Sequence, residues 1–289
     1  RVPERSEGAR RSGRGGDRGA GARLGGDGEV GRRFGNRNQW GVRVNAVHRE
    51  GEGAIRHQDK AYQLGSLALD WRGERSRASL DLYSAEDLIH GPTRGVSLDV
   101  GVAVPKPPRA DVLINPEWGR VESRDKGAIL RGEVDFNDHL MVYAAFGASE
   151  TDYSYNGAIS ALVLNNAGDF RTTVAQLAFH TCKQSADVGV RGSFQTGPVS
   201  HQLAANATAY QHTQDDYGRR SVPEASWVTN LYAPSWNEAP PFITPHIMHT
   251  EVKLRSVGVA DTVGFADDRV QVTLGVRRQQ VQSDAFDIN

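Results

Sequence analysis

The chain has 289 residues, with 34 Lys and Arg against 35 Asp and Glu, and 38% of its residues are hydrophobic. So even a charge balance gives no global field that would select nucleic acid or anionic lipid, and the apolar share is below that of an ordinary soluble domain. The single cysteine, Cys182, excludes an internal disulfide framework and a cysteine-rich zinc centre; no run of about eighteen apolar residues occurs, which excludes a transmembrane helix.

Residues 1–28 hold nine Gly and seven Arg. They contain no apolar h-region and do not read as a signal peptide. A segment of this kind cannot bury enough apolar surface to offset its ordering entropy, so it is expected to be disordered. No aromatic residue interleaves the arginines, which argues against a nucleic-acid tail. A frameshifted or truncated reading frame would explain the run.

From residue 29 to 289 the periodicity is two rather than 3.6. Val42, Val44 and Ala46 alternate with Arg43 and Asn45; Ala78, Leu80 and Leu82 alternate with Ser79, Asp81 and Tyr83. Leu203, Ala205, Ala207 and Ala209 alternate with Gln202, Ala204, Asn206 and Thr208, and Val270, Val272, Leu274 and Val276 with Gln271, Thr273, Gly275 and Arg277. Each pattern is a strand with one apolar and one polar face. Nine strands are predicted, at 39–49, 61–71, 76–87, 125–136, 139–151, 176–195, 199–213, 249–266 and 268–281. Most exceed the five or six residues usual in soluble proteins and match the roughly nine to eleven that cross a bilayer.

The predicted connections alternate in length. Those at 72–75, 137–138, 196–198 and 267 are short; those at 50–60, 88–124, 152–175 and 214–248 are long. An antiparallel barrel with all its short turns on the periplasmic side gives this alternation. The same parity requires 169–195 to be a loop leading into one long strand, since two strands there would place two short turns in succession. Ten of the 12 prolines fall in 88–124 and 214–248, where a missing ladder donor does no harm. The fold class expected is therefore all-β, an antiparallel transmembrane β-barrel. Nine strands give no sign of closure, so the chain reads as part of a larger barrel. A soluble β-sandwich is the competing architecture, disfavoured by the alternating loop lengths.

Several stretches resemble the TonB-dependent outer-membrane receptors for ferric siderophores. They are Leu67–Arg75 (LALDWRGER), Arg77–Tyr83 (RASLDLY), Gly91–Gly95 (GPTRG), Phe194–Leu203 (FQTGPVSHQL) and Phe265–Arg278 (FADDRVQVTLGVRR), in that order and spacing. The resemblance implies about a third to a half of a barrel of roughly twenty-two strands with a plugged lumen. It finds no counterpart here for the plug domain, the TonB box or the terminal aromatic strand. It further implies location in the Gram-negative outer membrane in contact with its lipid. The implied function is energised import of a ferric siderophore, with the TonB–ExbB–ExbD complex acting through the missing plug. No covalent chemistry, cofactor or protein-supplied iron ligand is implied, because the iron stays in its chelate. A passive porin-like barrel is the alternative function.

The residues expected to meet ligand are Arg94, Trp118, Tyr153, Tyr155 and Trp236. A guanidinium suits the anionic oxygens of a chelate, and aromatic side chains line many ligand pockets. An interfacial girdle is the other use for outer aromatics; Trp71, Tyr83 and Tyr143 fit that or the lumen wall better. Gly91, Pro92 and Gly95 read as loop-turn residues. His246 and His249, with Glu251 nearby, are read as a loop coincidence, and no catalytic or metal-binding residue is assigned. No G-x-S-x-G elbow, Walker A or G-x-G-x-x-G fingerprint occurs.

Overall fold

A computed structural model of the chain describes residues 11–13, 17–18 and 22–287. In chain order the strands are β1 Arg11–Gly13, β2 Asp17–Arg18, β3 Ala22–Phe34, β4 Trp40–Glu52, β5 Asp59–Arg72, β6 Ser76–His90 and β7 Val96–Leu98. They continue with β8 Arg120–Asn137, β9 Leu140–Val163, β10 Asp169–Thr196, β11 Val199–Asn230, β12 His246–Phe265 and β13 Val270–Asp287. All belong to one sheet, ordered β1-β3-β4-β5-β6-β8-β9-β10-β11-β12-β13, with β2 on β3 and β7 on β9. Every pairing is antiparallel except β7 with β9. The path is open: among the described residues β13 pairs with β12 and with no other strand. A sandwich needs a second sheet, and the described residues form one.

All nine predicted strands are present, and the structure corrects their outer ends. The connection expected at 152–175 shrinks to 164–168, because β9 and β10 run on as paired strands to Val163 and from Asp169. Residues 169–195 are a single strand, as the parity argument required, but without the leading loop. The connection expected at 214–248 shrinks to 231–245. Pro223 consequently lies within β11, where the register with β10 shifts between Val222 and Trp227; a bulge leaves its missing donor without consequence. Of the segment expected to be disordered, Ala22–Gly28 forms part of β3, with Arg23 to Gly28 opposite Gly51 to Ala46 of β4. Backbone ladders need no apolar side chains, so glycines can pair against a regular neighbour. Residues 1–10, 14–16 and 19–21 lie outside the described residues.

Cross-strand register turns the period-two pattern into two continuous surfaces. Val134, Val142, Val190, Ala205, Val259 and Val276 stand directly opposite one another across six strands. One residue out of phase, Glu133, Tyr143, Gly189, Asn206, Gly258 and Arg277 form a parallel row on the other face. The second face is held by polar contacts. Arg77 bonds Glu133 at 3.1 Å and Asp135 at 3.2 Å, Asn206 donates to Asp187 at 3.1 Å, and Arg277 donates to Ser256 at 2.8 Å. Tyr143 lies flat across Gly189, where a Cβ would come within 2.5 Å of its ring, and Arg191 stacks on the same ring at 5.2 Å.

Among the described residues nothing packs over the apolar face. Val188 is 52% exposed, Leu274 69% and Val276 70%. A contiguous exposed apolar surface of this extent marks a face that contacts a membrane or another protein surface. At its short-turn end sit Phe34, Trp40 and Trp71, directly opposite one another, with Trp40 and Trp71 6.3 Å apart; at the same end, four strands along the sheet, Phe194 stacks on His201 at 4.6 Å. This is the place of an interfacial aromatic girdle, and Trp71 falls where that reading put it. The dry core lies elsewhere, around Ala161, Val163, Phe170 and Leu231 at the long-loop end.

Candidate ligand-binding site at the long-loop end

β9, β10 and β11 are 24, 28 and 32 residues long, two to three times what a bilayer crossing requires. Their upper halves therefore stand clear of the apolar belt and carry the long loops. The loop 91–119 is tied at its base by Gly91 N–H donating to Gly119 O at 2.9 Å. Two buried amides brace it: Gln58 donates to Gly91 O at 2.8 Å and Asn115 to Pro92 O at 2.7 Å. Gly91 has φ +61°, with Leu113 Cδ2 2.9 Å from the position a Cβ would take, so only glycine fits, in keeping with its reading as a turn residue. Within the loop, β7 adds in parallel to the top of β9.

The second loop, 231–245, leans on the first. Trp118 Nε1 donates to Asn237 O at 2.8 Å, and the Tyr232 hydroxyl donates to Lys106 O at 2.8 Å. Gln176, fully buried, joins this loop to the wall. It donates to Pro241 O at 2.7 Å and accepts from Ile243 N–H at 3.2 Å and from Arg219 at 3.1 Å. The two loops thus form one layer rather than separate excursions.

Three of the five residues singled out in the sequence come together. Tyr153 and Tyr155 lie on β9, not in a loop, at alternate positions on the same face as Tyr143, the polar, water-facing side. Tyr155 is wholly buried and its hydroxyl donates to Ala158 O. The exposed Arg94 guanidinium stacks on the Tyr155 ring, 4.5 Å from its centroid. Tyr153 stacks on Phe179 at 4.8 Å. The hydrogen bond with Tyr155 raises the pKa of Arg94, and burial pushes the Tyr155 phenol up, so the pair is a cation over a neutral ring at neutral pH. Its outer face presents a fixed positive charge to solvent, suited to anionic oxygens.

Trp118 packs instead against Trp227, 6.5 Å away. Trp236 is half-buried one residue from the Trp118 contact, and its indole nitrogen is buried without a partner. The two groups are adjacent: a Cβ on Gly157 would lie 3.0 Å from the Tyr155 hydroxyl and 3.6 Å from Gly119, the residue after Trp118. Phe179 and Gln176 were not singled out in the sequence. Gln176 had a faint signal, a lone amide between Val174–Ala175 and Leu177. His246 and His249, whose spacing was read as a loop coincidence, both stand on β12, and both contact Asp215 Oδ1, at 3.1 and 2.7 Å.

No family model matches the chain. The chain is 32% identical over 278 residues to the ferrichrome receptor FcuA of Yersinia enterocolitica, covering 94% of this chain and 36% of that protein. It superposes on the ferric preacinetobactin receptor BauA of Acinetobacter baumannii with a TM-score of 0.89 and 48% identity, over 91% of this chain and 40% of that one. The outer-membrane ferripyoverdine receptor of Pseudomonas aeruginosa shares the fold at a TM-score of 0.76 and 12% identity, over 92% and 37% of the two chains. The chain thus spans well under half the length of the relatives it matches. Sequence and fold together make it a homologue of the TonB-dependent siderophore receptors, matching about 40% of their length.

Proposed function

We propose that the chain forms part of an outer-membrane receptor that binds and takes up ferric siderophores, with its mouth in the layer made by loops 91–119 and 231–245. The observation that carries the reading is the exposed Arg94 guanidinium anchored over buried Tyr155 at 4.5 Å on the water-facing side of the wall. A ferric chelate exposes anionic oxygens around an organic shell. Arg94 answers the first, and Tyr153, Trp118 and Trp236 answer the second. The iron remains in its chelate, so no cofactor is required. Energised release into the periplasm would depend on the TonB–ExbB–ExbD complex acting on a plug domain, and the wall's outer face would meet outer-membrane lipid. Uptake through a receptor is favoured over passive diffusion by the homology to siderophore receptors.

The test is quenching of tryptophan fluorescence in the detergent-solubilised chain, titrated with ferric ferrichrome, ferric preacinetobactin and the corresponding iron-free chelators. Saturable quenching by one ferric complex is expected. Arg94→Ala should weaken it about 10- to 100-fold, the span of one charge-assisted contact. Equal affinity in Arg94→Ala would remove Arg94 from the site, and the absence of saturable binding by any ferric complex would contradict the assignment.

A further inference from the structure

The apolar face of the wall continues upward past the lipid belt, and its chemistry changes abruptly. On β10 the alternate residues Val190, Val188 and Ala186 give way, two positions above Gln184, to Cys182 and His180. Directly opposite these on β9 stand Glu150 and Asp152. Four potential metal ligands thus share one outward face of two adjacent strands, away from the Arg94 site.

Their geometry is ordered. His180 Nδ1 lies 2.7 Å from Asp152 Oδ1. With the ring proton on Nδ1 donated to that carboxylate, the Nε2 lone pair is the one that faces Cys182 and Glu150. Cys182 Sγ is 3.2 Å and Glu150 Oε1 3.8 Å from Nε2. Around tetrahedral zinc, with its usual bond lengths, neighbouring nitrogen, sulfur and oxygen ligands stand roughly 3.4–3.6 Å apart. The other Glu150 oxygen, Oε2, is held by Lys126 at 3.0 Å, which fixes the carboxylate and leaves Oε1 free. A carboxylate orienting a histidine whose far nitrogen faces the metal is a recurrent outer-shell device.

We propose that His180 Nε2, Cys182 Sγ and Glu150 Oε1 form a surface site for a zinc-like divalent ion, with Asp152 as the residue that positions His180. Three protein ligands leave a fourth position open to water. Imidazole with thiolate selects zinc, cobalt or nickel over magnesium and calcium, which prefer oxygen alone. Binding displaces the thiol proton to solvent and leaves every oxidation state unchanged. The site lies on the outside of the wall and is independent of the siderophore reading.

Cys182 is the sole cysteine of the chain, so its alkylation reports on the site without ambiguity. The solubilised full chain is treated with a maleimide across a Zn2+ titration, with Mg2+ as control. Zn2+ is expected to slow labelling at least about tenfold at saturation, with one ion bound per chain, and Mg2+ to have no effect. Co2+ should give a thiolate-to-cobalt charge-transfer band that is lost in Cys182→Ser. Asp152→Asn should weaken Zn2+ protection about 10- to 100-fold relative to its own metal-free labelling rate, the usual effect of removing such a partner. Unchanged labelling of the unsubstituted chain at saturating Zn2+ would overturn the proposal without recourse to any variant. Equal protection in His180→Gln would overturn the ligand set.

Discussion

Ala207→Arg is expected to destabilise the membrane-inserted chain by about 2–4 kcal/mol, the cost of an arginine facing lipid near the midplane. Thr208→Arg, one residue along the same strand, should change stability by less than about 1 kcal/mol. Ala207 stands between Val188 and Val257, all three on the exposed apolar face. Thr208 faces the other way and bonds Asp187 Oδ1 at 3.3 Å, so an arginine there meets water and a carboxylate. Strand and introduced residue are the same and depth differs by one residue, so the contrast reads chiefly the face. Reversible guanidinium unfolding in lipid vesicles reads both variants. Equal costs would mean that neither face meets lipid, and the inverse order would turn the wall inside out.

The second large effect is local. Tyr155→Ala removes a ring with no exposed surface, the support of Arg94 and a hydrogen bond to Ala158 O. Aromatic-to-alanine changes in packed sites cost about 3–5 kcal/mol. Because Tyr155 lies above the lipid belt, this loss should appear as opening of the loop layer rather than global unfolding. Amide hydrogen exchange in 91–119 and the top of β9 should accelerate about 100-fold or more, at a tenfold change per 1.4 kcal/mol. Tyr155→Phe keeps the ring and leaves the Ala158 carbonyl without its donor, a cost of about 1–3 kcal/mol, so its acceleration should be smaller. Unchanged exchange in Tyr155→Ala would show that the ring does not hold the loop down.

Strand positions were legible in the sequence wherever one face is wet and the other greasy. Val42 to Ala46, Leu203 to Ala209 and Val270 to Val276 alternate because their two environments differ. The pattern fades in the upper halves of β9 to β11, where the loop layer reduces that contrast: Ala158, Ala161, Val163, Phe170 and Val174 are all buried there. A run such as Ala158–Leu164 then reads as a loop although it is ladder almost to its end. β3 was hidden for the opposite reason, since Ala22–Gly28 has little to alternate and pairs through its backbone alone. Arg94, Tyr153, Tyr155, Trp118 and Trp236 of the candidate site were singled out in the sequence by residue type alone. Their grouping was not legible, because the contacts of Trp118 with Asn237 and Tyr232 with Lys106 join residues more than a hundred positions apart and leave no local trace. His180, Cys182, Glu150 and Asp152 escaped notice for the same reason: only the β9–β10 register sets the acids opposite the imidazole and thiol.

The central claim is that β11, like its neighbours, is a stave with one side in lipid and the other in water. The most direct measurement is a nitroxide scan of positions 202–209 in a Cys182→Ser background reconstituted in lipid vesicles, recording collision with oxygen and with a water-soluble nickel chelate. Oxygen accessibility should peak at 203, 205, 207 and 209, and nickel accessibility at 202, 204, 206 and 208. Loss of the two-residue alternation, or its reversal between the two reagents, would contradict the account.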